Sequence, residues 1–120
     1  MIKKILIVED ERLIGKLLAK TLKSSGYQIC DVVATGEEAI AFAKKEKLDA
    51  IVMDVLLMGE LDGFEAASII REEHSIPIIF LTCFSDEDVS LRAGKIERSS
   101  MIDKFDNLHE IQKVVEMAIS

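Results

Sequence analysis

Three apolar runs that each end in a polar side chain constrain this chain more than any other feature. Ile51-Val52-Met53 delivers Asp54, Ile5-Leu6-Ile7-Val8 runs into Glu9-Asp10-Glu11, and the run from Ile76 to Leu81 meets Thr82. A near-continuous apolar run is how a strand buried on both faces reads, and such strands belong to parallel sheets covered by helices. Parallel neighbours bring their carboxyl ends together, and open α/β sheets bind ligands in the crevice outside those ends. Asp54 is the expected chemical centre.

The rest of the chain alternates around these runs. Lys3 to Val8 reads as a buried strand, followed by a helix from Glu11 to Lys23 with Leu13, Ile14, Leu17, Leu18, Thr21 and Leu22 on one face. Gly26 fits a stop after that helix. Gln28 to Val33 is a second strand, and Thr35 stands three positions before Glu38 in capping-box order, opening a helix to about Lys47. Leu48 to Met53 is the third strand, Gly63 to Glu73 the third helix, and Ile76 to Leu81 the fourth strand, with Pro77 at its beginning. Ser85 is the expected N-cap of a fourth helix, with Asp86, Glu87 and Asp88 near the positive end of its dipole and Gly94 weakening it. Ser99 to Ile102 is a short fifth strand. Leu108, Ile111, Val114, Val115, Ala118 and Ile119 give the last helix an apolar stripe. Strand–helix alternation of this kind implies a three-layer, doubly wound α/β domain spanning residues 1–120, with five strands and five helices.

Composition narrows the functions. A formal net charge of −7 argues against direct binding of nucleic acid, whose phosphates are met by a basic surplus. No apolar run approaches the length of a bilayer span, and no signal-peptide pattern opens the chain, so the cytoplasm is the expected compartment and a membrane is not an expected partner. Cys30 and Cys83 are isolated thiols with no metal-ligand spacing, read as small packing residues.

If Glu9, Asp10 and Asp54 converge, their mutual repulsion calls for a hard, oxygen-seeking cation such as Mg²⁺. Mg²⁺ favours one or two carboxylates, several waters and a substrate phosphate, so the pocket suits a phosphoryl group. An Asp carboxylate can itself be the nucleophile that forms an aspartyl phosphate. Thr82 could donate a hydrogen bond to a phosphoryl oxygen, and Lys104 could supply a positive charge. Taken singly, each has a plainer reading: a solvated loop acid, a strand-end cap, a surface lysine, and for Glu11 a first-turn helix residue. Their combination at successive strand ends carries the inference.

These same residues resemble the response-regulator receiver domain, the phosphoacceptor module of two-component signalling, over essentially the whole chain. Ile5 to Glu11 is similar to that family's opening strand and acid pair, Met53-Asp54-Val55-Leu56-Leu57 to its phosphoacceptor strand end, Leu61-Asp62-Gly63-Phe64-Glu65 to the following Asp-Gly segment, and Leu81-Thr82-Cys83 to its switch-threonine strand end. The resemblance implies a flavodoxin-like sheet of order 2-1-3-4-5, as in chemotaxis receivers. It implies that Asp54 accepts a phosphoryl group from a phosphohistidine on a sensor histidine kinase. Asp10, Asp54 and the backbone carbonyl of Leu56 would ligate Mg²⁺, with Glu9 acting largely through water, and Thr82 and Lys104 would read the phosphoryl group. The signal would reach a downstream protein through the face of helix four, strand five and helix five, a face also compatible with a homodimer. Such a domain is not a conventional enzyme, although it helps catalyse its own phosphorylation and dephosphorylation.

The chain departs from the family pattern in three places. Phe105 follows Lys104 where the family has a cis proline; a cis non-proline bond costs roughly 3–4 kcal/mol, so a trans bond and a differently aimed Lys104 are expected. Met101 stands where the family commonly has Tyr or Phe, which puts the usual threonine-to-aromatic coupling in question. Met58-Gly59-Glu60-Leu61-Asp62-Gly63 is one residue longer than the common loop and lacks its proline. Apolar Leu56 and Phe84, at positions that influence attacking water, suggest slow hydrolysis of the aspartyl phosphate, and Cys83 would partly crowd the entrance. The competing reading is a phosphate-independent pseudo-receiver, an interaction module. A flavin-binder reading fails because this chain has no Ser/Thr/Gly-rich phosphate loop after strand one, and a phosphatase reading fails because Glu9-Asp10-Glu11 lacks the Asp-x-Asp alternation. The end at Ser120, directly after the last helix, fits either a single-domain receiver or a piece of a longer protein.

Overall fold

Side chains that alternate along each central strand divide between two cores. Ile5 and Ile7 join Ala50, Val52, Ile79, Leu81 and Ile102 in one, while Leu6 and Val8 join Ile51, Met53, Ile78 and Phe80 in the other. That division is the two-residue period of a strand covered on both faces. Residues 2–83, 87–104 and 108–120 are described in the structure, a computed structural model.

The strands are β1 (Lys4–Val8), β2 (Gln28–Val33), β3 (Ala50–Asp54), β4 (Ile78–Thr82) and β5 (Ser99–Asp103). They form one sheet in the order β2-β1-β3-β4-β5, with every neighbouring pair parallel. This is the expected flavodoxin-like order. The helices are α1 (Arg12–Ser24), α2 (Gly36–Lys45), α3 (Gly63–Glu73), α4 (Glu87–Gly94) and α5 (Ile111–Ile119), the last preceded by a 3₁₀ turn at Leu108–Glu110. Leu18 and Leu22 of α1 and Ile111 and Val115 of α5 close one core; Ala39 and Ala43 of α2, Phe64 and Ile70 of α3 and Ala93 of α4 close the other. Three layers result. No described helix is long and apolar enough to cross a membrane.

Several boundaries move, for local reasons. β3 begins two residues later than the apolar pattern suggests and takes in Asp54. β4 begins after Pro77, which has no N–H to give; its carbonyl accepts from Ile51 N at 2.9 Å. α2 stops at Lys45 because Glu46 turns extended. The expected N-cap Ser85 and the first-turn Asp86 lie outside the described residues, and Gly94 is the last residue of α4.

The predicted face of α1 is only partly buried. Leu18 and Leu22 are covered, but Leu13 is 82% and Leu17 53% exposed. Gly15 explains the roll of the helix: a Cβ there would lie 2.9 Å from Val32 Cγ1, so the missing side chain lets α1 settle onto β2. The buried face is therefore centred on Gly15, Leu18 and Leu22.

The cap of α2 differs in detail from the simple pattern. Thr35 accepts from Glu38 N at 3.1 Å, but the Glu38 carboxylate reaches back to Ala34 N at 3.2 Å. The full reciprocal box forms instead at α3, where Asp62 Oδ1 accepts from Glu65 N at 2.8 Å and Glu65 Oε1 from Asp62 N at 3.0 Å.

Candidate functional site

The strand order reverses between β1 and β3, and the acidic residues sit at that point. Glu9 and Asp10 follow β1, and Asp54 ends β3. One carboxylate oxygen from each lies within 4.8 Å of the others. Glu9 and Asp54 are buried and Asp10 is half-buried.

Backbone contacts fix these positions. Glu9 N donates to Val33 O at 2.8 Å and Val55 N to Leu81 O at 3.0 Å, extending the ladder past β1 and β3. Asp54 Oδ1 accepts from Leu56 N at 3.3 Å, and Glu9 Oε2 from Glu11 N at 3.0 Å. Gly63 lies directly against the acceptor strand, where a Cβ would come within 2.2 Å of the Asp54 carbonyl oxygen. Only glycine fits there.

Lys104 enters from beyond β5. Its N–H donates to Thr82 O at 2.7 Å, and its ammonium lies 2.8 Å from Asp54 Oδ2 and 2.6 Å from Glu9 Oε1. The structure thus brings the Lys104 ammonium to the acidic cluster, with the departure after it in place. Phe105 and the geometry of its peptide bond lie outside the described residues. Thr82, also buried, ends β4.

The electrostatics follow from crowding and burial. Burial pushes the Glu9 carboxyl up from 4.5 to about 7; the Lys104 ammonium and the Glu11 N–H oppose this, and the Asp54 charge adds to it. Burial alone would lower the Lys104 ammonium, but its contacts with Asp54 and Glu9 carry it above its ordinary value. Glu9 Oε1 is met by the buried Lys104 ammonium at 2.6 Å. Three carboxylates face a single described cation, and every candidate donor is a hard oxygen. These groups fit a small hydrated divalent cation such as Mg²⁺.

Comparison with known proteins decides the family. The model of the response regulator receiver domain matches residues 5–116. The chain belongs to that family. The receiver is 36% identical over 118 residues to the transcriptional regulatory protein PdtaR of Mycobacterium tuberculosis, covering 98% of this chain and 57% of that protein. It thus spans little more than half the length of that relative. Among solved structures it resembles the signal receiver domain of a modulated diguanylate cyclase from Desulfovibrio desulfuricans, with TM-score 0.88 and 34% identity over 99% of this chain and 94% of that one. The response regulator TrrA of Thermotoga maritima, solved in complex with Mg²⁺ and BeF, matches with TM-score 0.85 and 30% identity over 98% of this chain and 99% of that one.

At the family's variable positions, Met101 is half-buried and pairs in register with Phe80 of β4. Leu56 is 61% exposed, and Phe84 lies outside the described residues. Cys83 is half-buried beside Thr82, and burial raises its thiol; Cys30 packs against the core under α2 to α4. Sequence reasoning missed Arg92. Its guanidinium donates to Asp62 Oδ2 at 3.0 Å and stacks 4.6 Å from the Phe64 ring centroid, tying α4 to the N-terminus of α3. No local pattern in the sequence pairs residues so far apart.

Proposed function

We propose that this receiver is phosphorylated on Asp54 by the phosphohistidine of a sensor histidine kinase. An Asp54 oxygen attacks the phosphorus, the P–N bond breaks, and the imidazole leaves with the kinase as the aspartyl phosphate forms. The observation that carries this reading is Lys104 Nζ at 2.8 Å from Asp54 Oδ2 within a cluster of three carboxylates. In this account Asp54, Asp10 and the Leu56 carbonyl would hold Mg²⁺, and Glu9 would act through water. When bound, the metal would neutralise charge on the transferred oxygens.

The chain's own groups do the rest. Lys104 gives up part of its contact with Asp54 and meets a phosphoryl oxygen, while the Thr82 hydroxyl donates to another. The output is a population shift of the α4–β5–α5 face toward a downstream protein or a second copy, in a cytoplasmic receiver module spanning residues 1–120. The receiver is in this account the substrate of its donor, with no turnover of a free metabolite.

The test is an amide NMR titration with Mg²⁺ followed by beryllofluoride, a phosphoryl mimic. Shifts are expected first around Glu9, Asp10 and Asp54, then at Thr82, Lys104 and the α4–β5–α5 face. A response confined to the site would remove the assigned output face. No response at the site would leave a phosphate-independent interaction module.

A further inference from the structure

The loop from Val55 to Asp62, which joins the acceptor strand to α3, is matched against the first turn of α2. Thr35 forms a parallel bridge with Met58. A Cβ on Gly36 would lie 3.3 Å from Leu61 Cβ and 2.9 Å from Ala66 Cβ, so the helix start packs closely on the loop's far end and on α3. Between these two contacts, Glu37 Oε2 accepts from Glu60 N at 3.3 Å. Gly59, with φ of +97°, lies so close that a Cβ there would sit 3.0 Å from the same oxygen. The N-cap Thr35 and the first two residues of α2, Gly36 and Glu37, thus hold four consecutive residues of the loop.

Glu38 is occupied by the cap of its own helix, with Ala34 N and the Thr35 hydroxyl on its Oε1. Glu37 is the acid left to reach across. Its partner peptide lies four residues beyond Leu56, whose N–H in turn bonds Asp54 Oδ1. The loop is then pinned at Asp54, at Met58, at Glu60 and, through Gly63 N on Val55 O at 2.7 Å, at its closure.

We propose that Glu37 is a positioning residue for the metal site: by docking the Gly59–Glu60 peptide it sets the conformation in which the Leu56 carbonyl is presented beside Asp54. This rests on the reading of Asp54 and the Leu56 carbonyl as metal ligands. Glu37 itself touches neither metal nor phosphoryl group. The role needs an acceptor oxygen on this side chain and does not need its charge. A glycine with positive φ at position 59 is the matching requirement on the loop, because a Cβ would be strained there and would crowd the carboxylate.

The experiment measures Mg²⁺ affinity by titration calorimetry for wild type, Glu37→Ala and Glu37→Gln, with thermal melting in chelator and the Mg²⁺ dependence of labelling by acetyl phosphate. Glu37→Ala is expected to weaken Mg²⁺ binding about fivefold, less than the roughly 10–100-fold typical of a group bonded directly to a ligand. The half-saturating Mg²⁺ concentration for labelling rises by the same factor, and the rate at saturating metal is unchanged. Glu37→Gln, which keeps an acceptor oxygen and loses the charge, stays within twofold of wild type. Gly59→Ala weakens Mg²⁺ binding in the same direction as Glu37→Ala.

Equal losses in Glu37→Ala and Glu37→Gln would show that the charge alone acts and would overturn the positioning role. Wild-type affinity in Glu37→Ala would overturn it as well, leaving the metal site intact. A wild-type chain that bound no Mg²⁺ would remove the site and this role together, so the two failures are told apart by the wild type alone.

Discussion

Lys104 Nζ and Asp54 Oδ2 meet at 2.8 Å across a separation of 50 residues, in a contact almost closed to solvent. The lysine is held by a backbone bond to the end of β4, so its ammonium is delivered to the acceptor carboxylate by the sheet. Replacing it with an apolar residue leaves two buried carboxylates facing one another. Lys104→Met is expected to lose about 2 kcal/mol, less than the roughly 3–5 kcal/mol for breaking a buried pair, because Glu9 can take up a proton. Urea unfolding at neutral pH in chelator measures this, and unchanged stability would contradict the geometry.

Glu9 makes the metal-free fold sensitive to pH. Its carboxyl titrates near 4.5 when solvated and at about 7 in the fold. Between those values the folded state binds more protons than the unfolded one, so this group's contribution to stability falls as pH rises from about 4.5 to about 7. Melting in chelator across that window should show a decline that Glu9→Gln flattens. Metal binding runs the other way, since ligands must be ionised, and the Mg²⁺-induced gain in melting temperature should grow with pH through about 7. A wild-type profile parallel to that of Glu9→Gln would contradict the buried placement.

Much of this was legible in the sequence, for a physical reason. Strands buried on both faces leave continuous apolar runs, so β1, β3 and β4 announce themselves and their polar ends mark the site. α1 shows the limit. Its apolar stripe is wider than the surface the sheet covers, and which part is buried depends on how closely Gly15 lets the helix approach Val32. Leu13 and Leu17 consequently stand in solvent. Arg92 and Glu37 were equally hidden, because their partners lie across a tertiary contact that no periodicity encodes.

Arg92 links α4 to α3 by two contacts that respond differently to substitution. Arg92→Ala loses both the ion pair with Asp62 and the stack on Phe64; with the pair partly exposed, about 1 kcal/mol is expected. Arg92→Lys keeps the charge but not the planar stack and should fall between. Denaturant unfolding of the three chains orders them, and Arg92→Lys no better than Arg92→Ala would show that the ion pair contributes nothing.

Two glycines offer a paired test of packing. A Cβ at Gly63 would collide with Asp54 O and lie 2.9 Å from Val55 Cα, whereas one at Gly94 meets nothing within 4 Å. Gly63→Ala should cost at least about 1–3 kcal/mol, the usual range for overpacking, and should slow labelling of Asp54 because the acceptor backbone must move. Gly94→Ala should leave stability equal or slightly higher. Comparable losses at both positions would contradict the close approach at Gly63.

Intact mass after incubation with acetyl phosphate tests the central claim most directly, with wild type and Asp54→Asn each run with Mg²⁺ and with chelator. The account predicts one added phosphoryl group on the wild type with Mg²⁺, and none on Asp54→Asn or in chelator. An adduct of equal yield on Asp54→Asn would place the acceptor elsewhere, and a wild type that stayed unmodified with Mg²⁺ present would contradict the phosphoacceptor reading itself.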